Sequence, residues 1–113
     1  MITKIIFSDK LLAIIIKNNF QTDGIEFFTP DEFSQQLAYM KRPKGYVIQA
    51  HTHNPVERKV ELTQEVLFIK SGKVRVDFYT PEKIYLKSVI LEKGDIILLA
   101  SGGHGFEMLE ETE

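Results

Sequence analysis

Cysteine and tryptophan are absent from this chain, histidine occurs three times, and no apolar run nears the roughly 18 residues of a membrane-crossing helix. Without cysteine there are no disulfides and no thiolate metal ligands, a pattern that suits a reducing cytoplasm, where the chain is expected to reside. The segment from Met1 to Asp9 lacks the layout of a signal peptide. Excess charge is lacking too. A net charge of -2 and a pI near 5.9 give no electrostatic reason for nucleic acid or an anionic membrane as a partner.

What is present describes one folded domain. Apolar residues at 43% and charged residues at 27% exclude a disordered chain, and 113 residues fill a single core over 1–113 with no room for a second. Residues 3–7 and 11–17 are β-branched runs separated by Ser8, Asp9 and Lys10, and they read as a hairpin or as two successive strands. Asn18 to Gly24 is turn chemistry, followed by a short strand over 25–28. Thr29 can cap a helix, Pro30 fits its first position, and Asp31 and Glu32 suit its N-terminal dipole. The one expected helix therefore runs for about two turns into residues 37–40.

From Tyr46 onward the pattern is strand and turn. Residues 46–52 form an expected strand, and the charged stretch 56–64 an expected loop or edge segment. Residues 65–70 and 73–80 flank Ser71 and Gly72, a tight hairpin signal. Val74, Val76 and Phe78 alternate with Lys73, Arg75, Asp77 and Tyr79, which puts the first three on a buried face and leaves Arg75 and Tyr79 outside. Strands over 84–91, 95–100 and 105–109 follow. Many short strands with turns between them indicate an all-β sandwich or barrel.

The chemistry-bearing residues are few. On a strand, His51 and His53 point to one side, and Glu65 opens the next apolar run with Leu67 and Ile69 on its own face. Imidazole nitrogen and carboxylate oxygen suit zinc, iron, nickel or manganese. The remaining histidine, His104, lies among Gly102, Gly103 and Gly105. The same residues also fit a plainer reading, with His51 and His53 as surface side chains, Glu65 solvated and His104 a turn residue. The apolar residues Val47, Leu67, Ile69, Val74, Val76, Phe78 and Phe106 are expected to line a cavity for a small molecule.

Gly45 to His53 and Glu65 to Gly72 together resemble the first motif of the cupin superfamily, and Gly94 to His104 resembles the second. The similarity spans about residues 40–106. It implies a single jelly-roll β-barrel and one divalent metal ion held by His51, His53, Glu65 and His104. Three departures stand out. The gap between His53 and Glu65 is longer than is usual in the family, which leaves Gln64 and Glu61 as rivals for the Glu65 position. Ala100 replaces the proline of the second motif, and His104 arrives one residue early. The wording from Thr63 to Val76 and from Gly102 to Phe106 is also similar to small cupins of sugar-nucleotide and surface-polysaccharide pathways.

The resemblance implies a metal-dependent enzyme on a small polar molecule, with Glu65 or a metal-bound water as base. Two alternatives remain open: a metal-free ketoisomerase or epimerase of a nucleotide-linked sugar with His51 or His53 as general base, and a binding module without turnover. A homodimer is expected, with the run 11–16 as its contact.

Overall fold

The computed structural model describes residues 1–113 as nine strands and no helix: β1 (Ile2–Phe7), β2 (Lys10–Ile16), β3 (Gly24–Phe27), β4 (Ala38–Lys41), β5 (Glu65–Phe68), β6 (Lys73–Tyr79), β7 (Tyr85–Glu92), β8 (Ile96–Leu99) and β9 (Gly103–Met108). No helix is long and apolar enough to cross a membrane. The chain divides into two compact units, Met1–Phe20 with Leu62–Glu113, and Gln21–Glu61 between them in sequence.

The first unit is built from two antiparallel sheets, ordered β1-β2-β8-β5 and β7-β6-β9. The β1–β2 hairpin forms as expected. Ser8 and Asp9 take φ of 49° and 61°, the pair of left-handed conformations that a two-residue turn needs to match strand twist. Between the sheets, Val74, Val76 and Phe78 of β6 and Leu91 of β7 pack with Ile5, Ala13, Ile15, Ile97 and Leu99. The alternation on β6 thus reads correctly, and each such side chain contributes about 1.5–3 kcal/mol by leaving water. β2 is an interior strand, with Leu12 to Ile16 buried on both faces. The run expected to offer a dimer contact is therefore engaged inside its own sheet, and β1 holds the free edge.

None of the three sheets closes on itself, so the all-β expectation is met without a closed barrel. Ser71 and Gly72 do not join a paired hairpin either. β5 pairs with β8 in one sheet, with Glu65 opposite Leu99 and Leu67 opposite Ile97, while β6 pairs with β7 and β9 in the other. The turn signal was local and correct, but the strand before it found its partner elsewhere.

The second unit holds the β3–β4 hairpin, with Gly24 opposite Lys41 and Phe27 opposite Ala38. The helix expected through residues 29–40 is absent. Thr29 does not cap a helix: its hydroxyl donates to Gln36 Oε1 at 2.6 Å and accepts from the Leu37 amide at 3.1 Å. Gln36 Nε2 in turn donates to the carbonyls of Pro30 and Phe33, both at 3.0 Å. These bonds cinch a wide loop across its neck, and Met40 lies in β4. Residues 42–64 hold no strand, so the expected histidine strand over 46–52 is also absent, while 56–64 is loop as expected.

Candidate functional site

β9 and β5 are edge strands of the two facing sheets. On β9, His104 lies opposite Phe78, Phe106 opposite Val76 and Met108 opposite Val74. Directly opposed residues share a sheet face, so His104, Phe106 and Met108 look inward with the core side chains of β6. Glu65 and Leu67 look inward by the same argument, through Leu99 and Ile97. The two inward rows meet at their polar members: His104 Nε2 lies 3.9 Å from Glu65 Oε1, an ion-pair distance when the imidazole is protonated. The Phe106 ring stands edge-on to the His104 ring, centroids 5.6 Å apart, and limits how the imidazole turns.

Two residues further along both strands the space becomes apolar. A cavity of about 300 Å³ opens there, lined by Leu67, Ile69, Val74, Val76, Phe106 and Met108, with Thr112 and Glu113 also on its wall. Five of the residues expected to line a cavity are in it. Phe78 is packed into the core instead, and Val47 belongs to the second unit, where it is exposed. A small apolar wall with a histidine and a carboxylate beyond one end is the composition of a small-molecule site.

The other two expected site residues lie in the second unit. His51 and His53 are exposed and on no strand, so strand alternation does not align them. They are nevertheless neighbours, with ring centroids 5.5 Å apart and planes tilted by 50°. His51 Nδ1 is 2.8 Å from the Gln49 carbonyl oxygen. In the tautomer that donates this bond, Nε2 keeps its lone pair for a ligand. The four residues thus come as two pairs, Glu65 with His104 and His51 with His53. No group of three or more His, Asp or Glu side chains is gathered as a metal-ligating cluster.

A second polar group, taken from sequence only as the outside of the sheet, is more organised than either pair. On the outer face of the β7-β6-β9 sheet, Arg75 donates from Nε to Asp77 Oδ1 at 2.8 Å and from Nη2 to Oδ2 at 3.1 Å. Ser88 Oγ donates to Asp77 Oδ1 at 2.5 Å, Tyr85 Oη lies 2.8 Å from Ser88 Oγ, and Arg75 Nη1 donates to Glu107 at 3.2 Å. Hydrogen bonds from Arg75 and Ser88 hold the Asp77 carboxyl below the usual carboxylate range, against the opposing pull of desolvation. The sequence signal was an Asp and an Arg at the centre of a strand, where acidic residues are uncommon without a partner.

No protein-family model, no curated protein and no solved structure matches the chain.

Proposed function

We propose that this chain is a small-molecule-binding protein with a jelly-roll-like core of the cupin kind, whose ligand lies in the cleft between β5 and β9 with its polar end at Glu65 and His104. The observation that carries this reading is the 3.9 Å approach of those two side chains, each two residues along its strand from Leu67 and Phe106 on the wall of a mainly apolar cavity. Dispersion and burial along Leu67, Val76 and Phe106 hold the apolar part, and the pair selects a ligand with a donor or acceptor at one end.

The same pair suits a divalent ion. Glu65 and His104, 3.9 Å apart at Oε1 and Nε2, would hold it through one carboxylate oxygen and one imidazole nitrogen. A bound ion supplies Lewis-acid polarisation of a ligand oxygen. The chain's own residues orient the ligand, with Phe106 fixing the imidazole plane and the apolar wall excluding water. A second reading rests on the same contact. A carboxylate beside an imidazole orients it, so His104 would move a proton at its Nε2 without any metal.

Calorimetric titration of chelator-treated protein with Zn²⁺, Ni²⁺ and Mn²⁺ separates these readings. The ion proposal expects one saturable site that His104→Ala and Glu65→Gln each weaken by at least roughly 10–100-fold, the loss that removing even a hydrogen-bond partner of a ligand causes. Heat of binding that survives both substitutions, or none at all for the wild type, removes the ion and leaves the proton-transfer reading.

A further inference from the structure

The polar group on the outer face of the second sheet is separate from the cleft, because it occupies the opposite face of β6. Arg75, Asp77, Tyr79, Tyr85 and Ser88 surround an open depression of about 480 Å³. The place of Tyr85 in it depends on a fault in the ladder. Between β6 and β7 the register shifts at Phe78/Tyr79, so that Lys87 pairs Phe78 while Tyr85 pairs Tyr79. The unpaired residue, Leu86, packs against the core, and Tyr85 comes onto the same face as Ser88 although the two are three positions apart, an odd spacing that regular alternation would put on opposite faces. Bulges re-aim side chains in this way beside binding sites. On the other flank, Asp77 and Tyr79 are opposed on β9 by Gly105 and Gly103, which put no side chain over the depression.

The chemistry of the depression selects its occupant. Arg75 is neutralised by Asp77 on one side and faces Glu107 on the other, so a free anion meets at least as much negative as positive charge. Hydrogen-bonding capacity is left over, however. A guanidinium has five N–H groups, of which Arg75 spends three, and Asp77 Oδ2 accepts only one bond. Tyr79 and Tyr85 meet edge to face with centroids 5.8 Å apart, and Tyr85 is 57% exposed. An aromatic wall beside fixed donors and acceptors of no net positive charge fits a neutral ring with C–H groups on its face and hydroxyls on its rim. We infer that the outer face of β6, β7 and β9 is a binding site for a neutral sugar, with Tyr85 against the ring and Arg75, Asp77 and Ser88 reading its hydroxyls.

The test is amide NMR titration of the full chain with methyl glucoside, methyl mannoside, methyl galactoside and N-acetylglucosamine. At least one sugar is expected to give saturable shifts at residues 75–79, 85–90 and 103–107. Tyr85→Ala should weaken binding roughly tenfold or more. Gly105→Val should abolish it by filling the shelf. A Cβ at position 105 meets only Tyr79 Cε2, at an ordinary 3.7 Å, so this variant is expected to fold. Absence of saturable shifts with all four sugars up to about 50 mM overturns the assignment. So does binding that both variants leave intact, or a response at this face to inorganic phosphate alone.

Discussion

Asp95→Ala is expected to destabilise the first unit by about 3 kcal/mol, the range seen when one partner of a buried ionic contact is removed. Asp95 is fully buried. Its Oδ2 accepts from Lys17 Nζ at 2.6 Å and from the Glu92 amide at 2.7 Å, and its Oδ1 accepts from the Asn18 amide at 2.7 Å. One carboxylate thus ties the turn between β7 and β8 to the end of β2, joining the two sheets. Alanine leaves two backbone donors and an ammonium without their acceptor. The expected fall in melting temperature is roughly 12 °C. Asp95→Asn keeps one acceptor and should fall between the two.

Acid should act through the same group. Burial pushes the Asp95 carboxyl up, but hydrogen bonds from Lys17 and from the amides of Glu92 and Asn18 outweigh it, so its pKa lies below the ordinary carboxylate value. A lowered folded-state pKa contributes stability that is fully present above the unfolded value of about 4 and is lost as pH falls through the folded one. Urea denaturation of wild type and Asp95→Ala should therefore show a gap that is wide at neutral pH and narrows in acid below about pH 4. A gap of constant size across that range would mean that the carboxylate's charge plays no part.

Gly72→Ala is the second large effect. Gly72 has φ of 91°, a conformation that costs an alanine about 1–2 kcal/mol. A Cβ there would also collide with the Glu111 carbonyl oxygen and lie 2.6 Å from Thr112 Oγ1 and 2.7 Å from Thr112 Cα. The glycine is covered because the C-terminal residues fold back over it. Glu113 O accepts from the Lys70 amide at 2.9 Å, the Glu113 amide donates to Ser71 O at 3.1 Å, and Thr112 Oγ1 accepts from the Lys73 amide at 3.2 Å. The variant is expected to release this segment at a total cost of about 3 kcal/mol. Amide exchange at Lys70, Lys73 and Glu113 should accelerate by two orders of magnitude or more, roughly what 3 kcal/mol gives. Thr112 and Glu113 also line the cavity, so its end away from His104 opens at the same time. Unchanged exchange at these three amides would rule out that coupling.

These effects show which parts of the molecule could be read from sequence. The β-branched alternation of β6 and the Ser8–Asp9 turn are decided by neighbours in the chain, and both appear as expected. Glu65 and His104 were singled out by residue type, and their approach follows from facing edge strands. The strand over 46–52 was read from Tyr46, Val47 and Ile48, but strand preference takes effect only against a cross-strand partner, and these residues have none. Thr29 and Pro30 carry a helix start, yet the Thr29 hydroxyl bonds to residues 36 and 37 instead. The partner of β5 was hidden for the same reason. Ser71 and Gly72 specify that the chain turns, not which sheet it leaves. The outer-face network escaped because it depends on which residues of β7 and β9 oppose Arg75 and Asp77, and Tyr85 joins it only through the register shift at Phe78/Tyr79, neither of which a local pattern announces.

The position of β8 between β2 and β5 has a consequence for how the molecule assembles. Lys17 and Asp95, whose contact closes the β2–β8 pairing, are 78 residues apart in the chain. During synthesis β2 waits, with Ile14, Ile15 and Ile16 and one open ladder edge, until residues 96–99 of β8 have been made. Such pairings are slow to close because the intervening chain must lose its freedom first. A strand buried on both faces is thus also the one left longest without its neighbour, which makes the nascent or refolding chain most prone to self-association at β2.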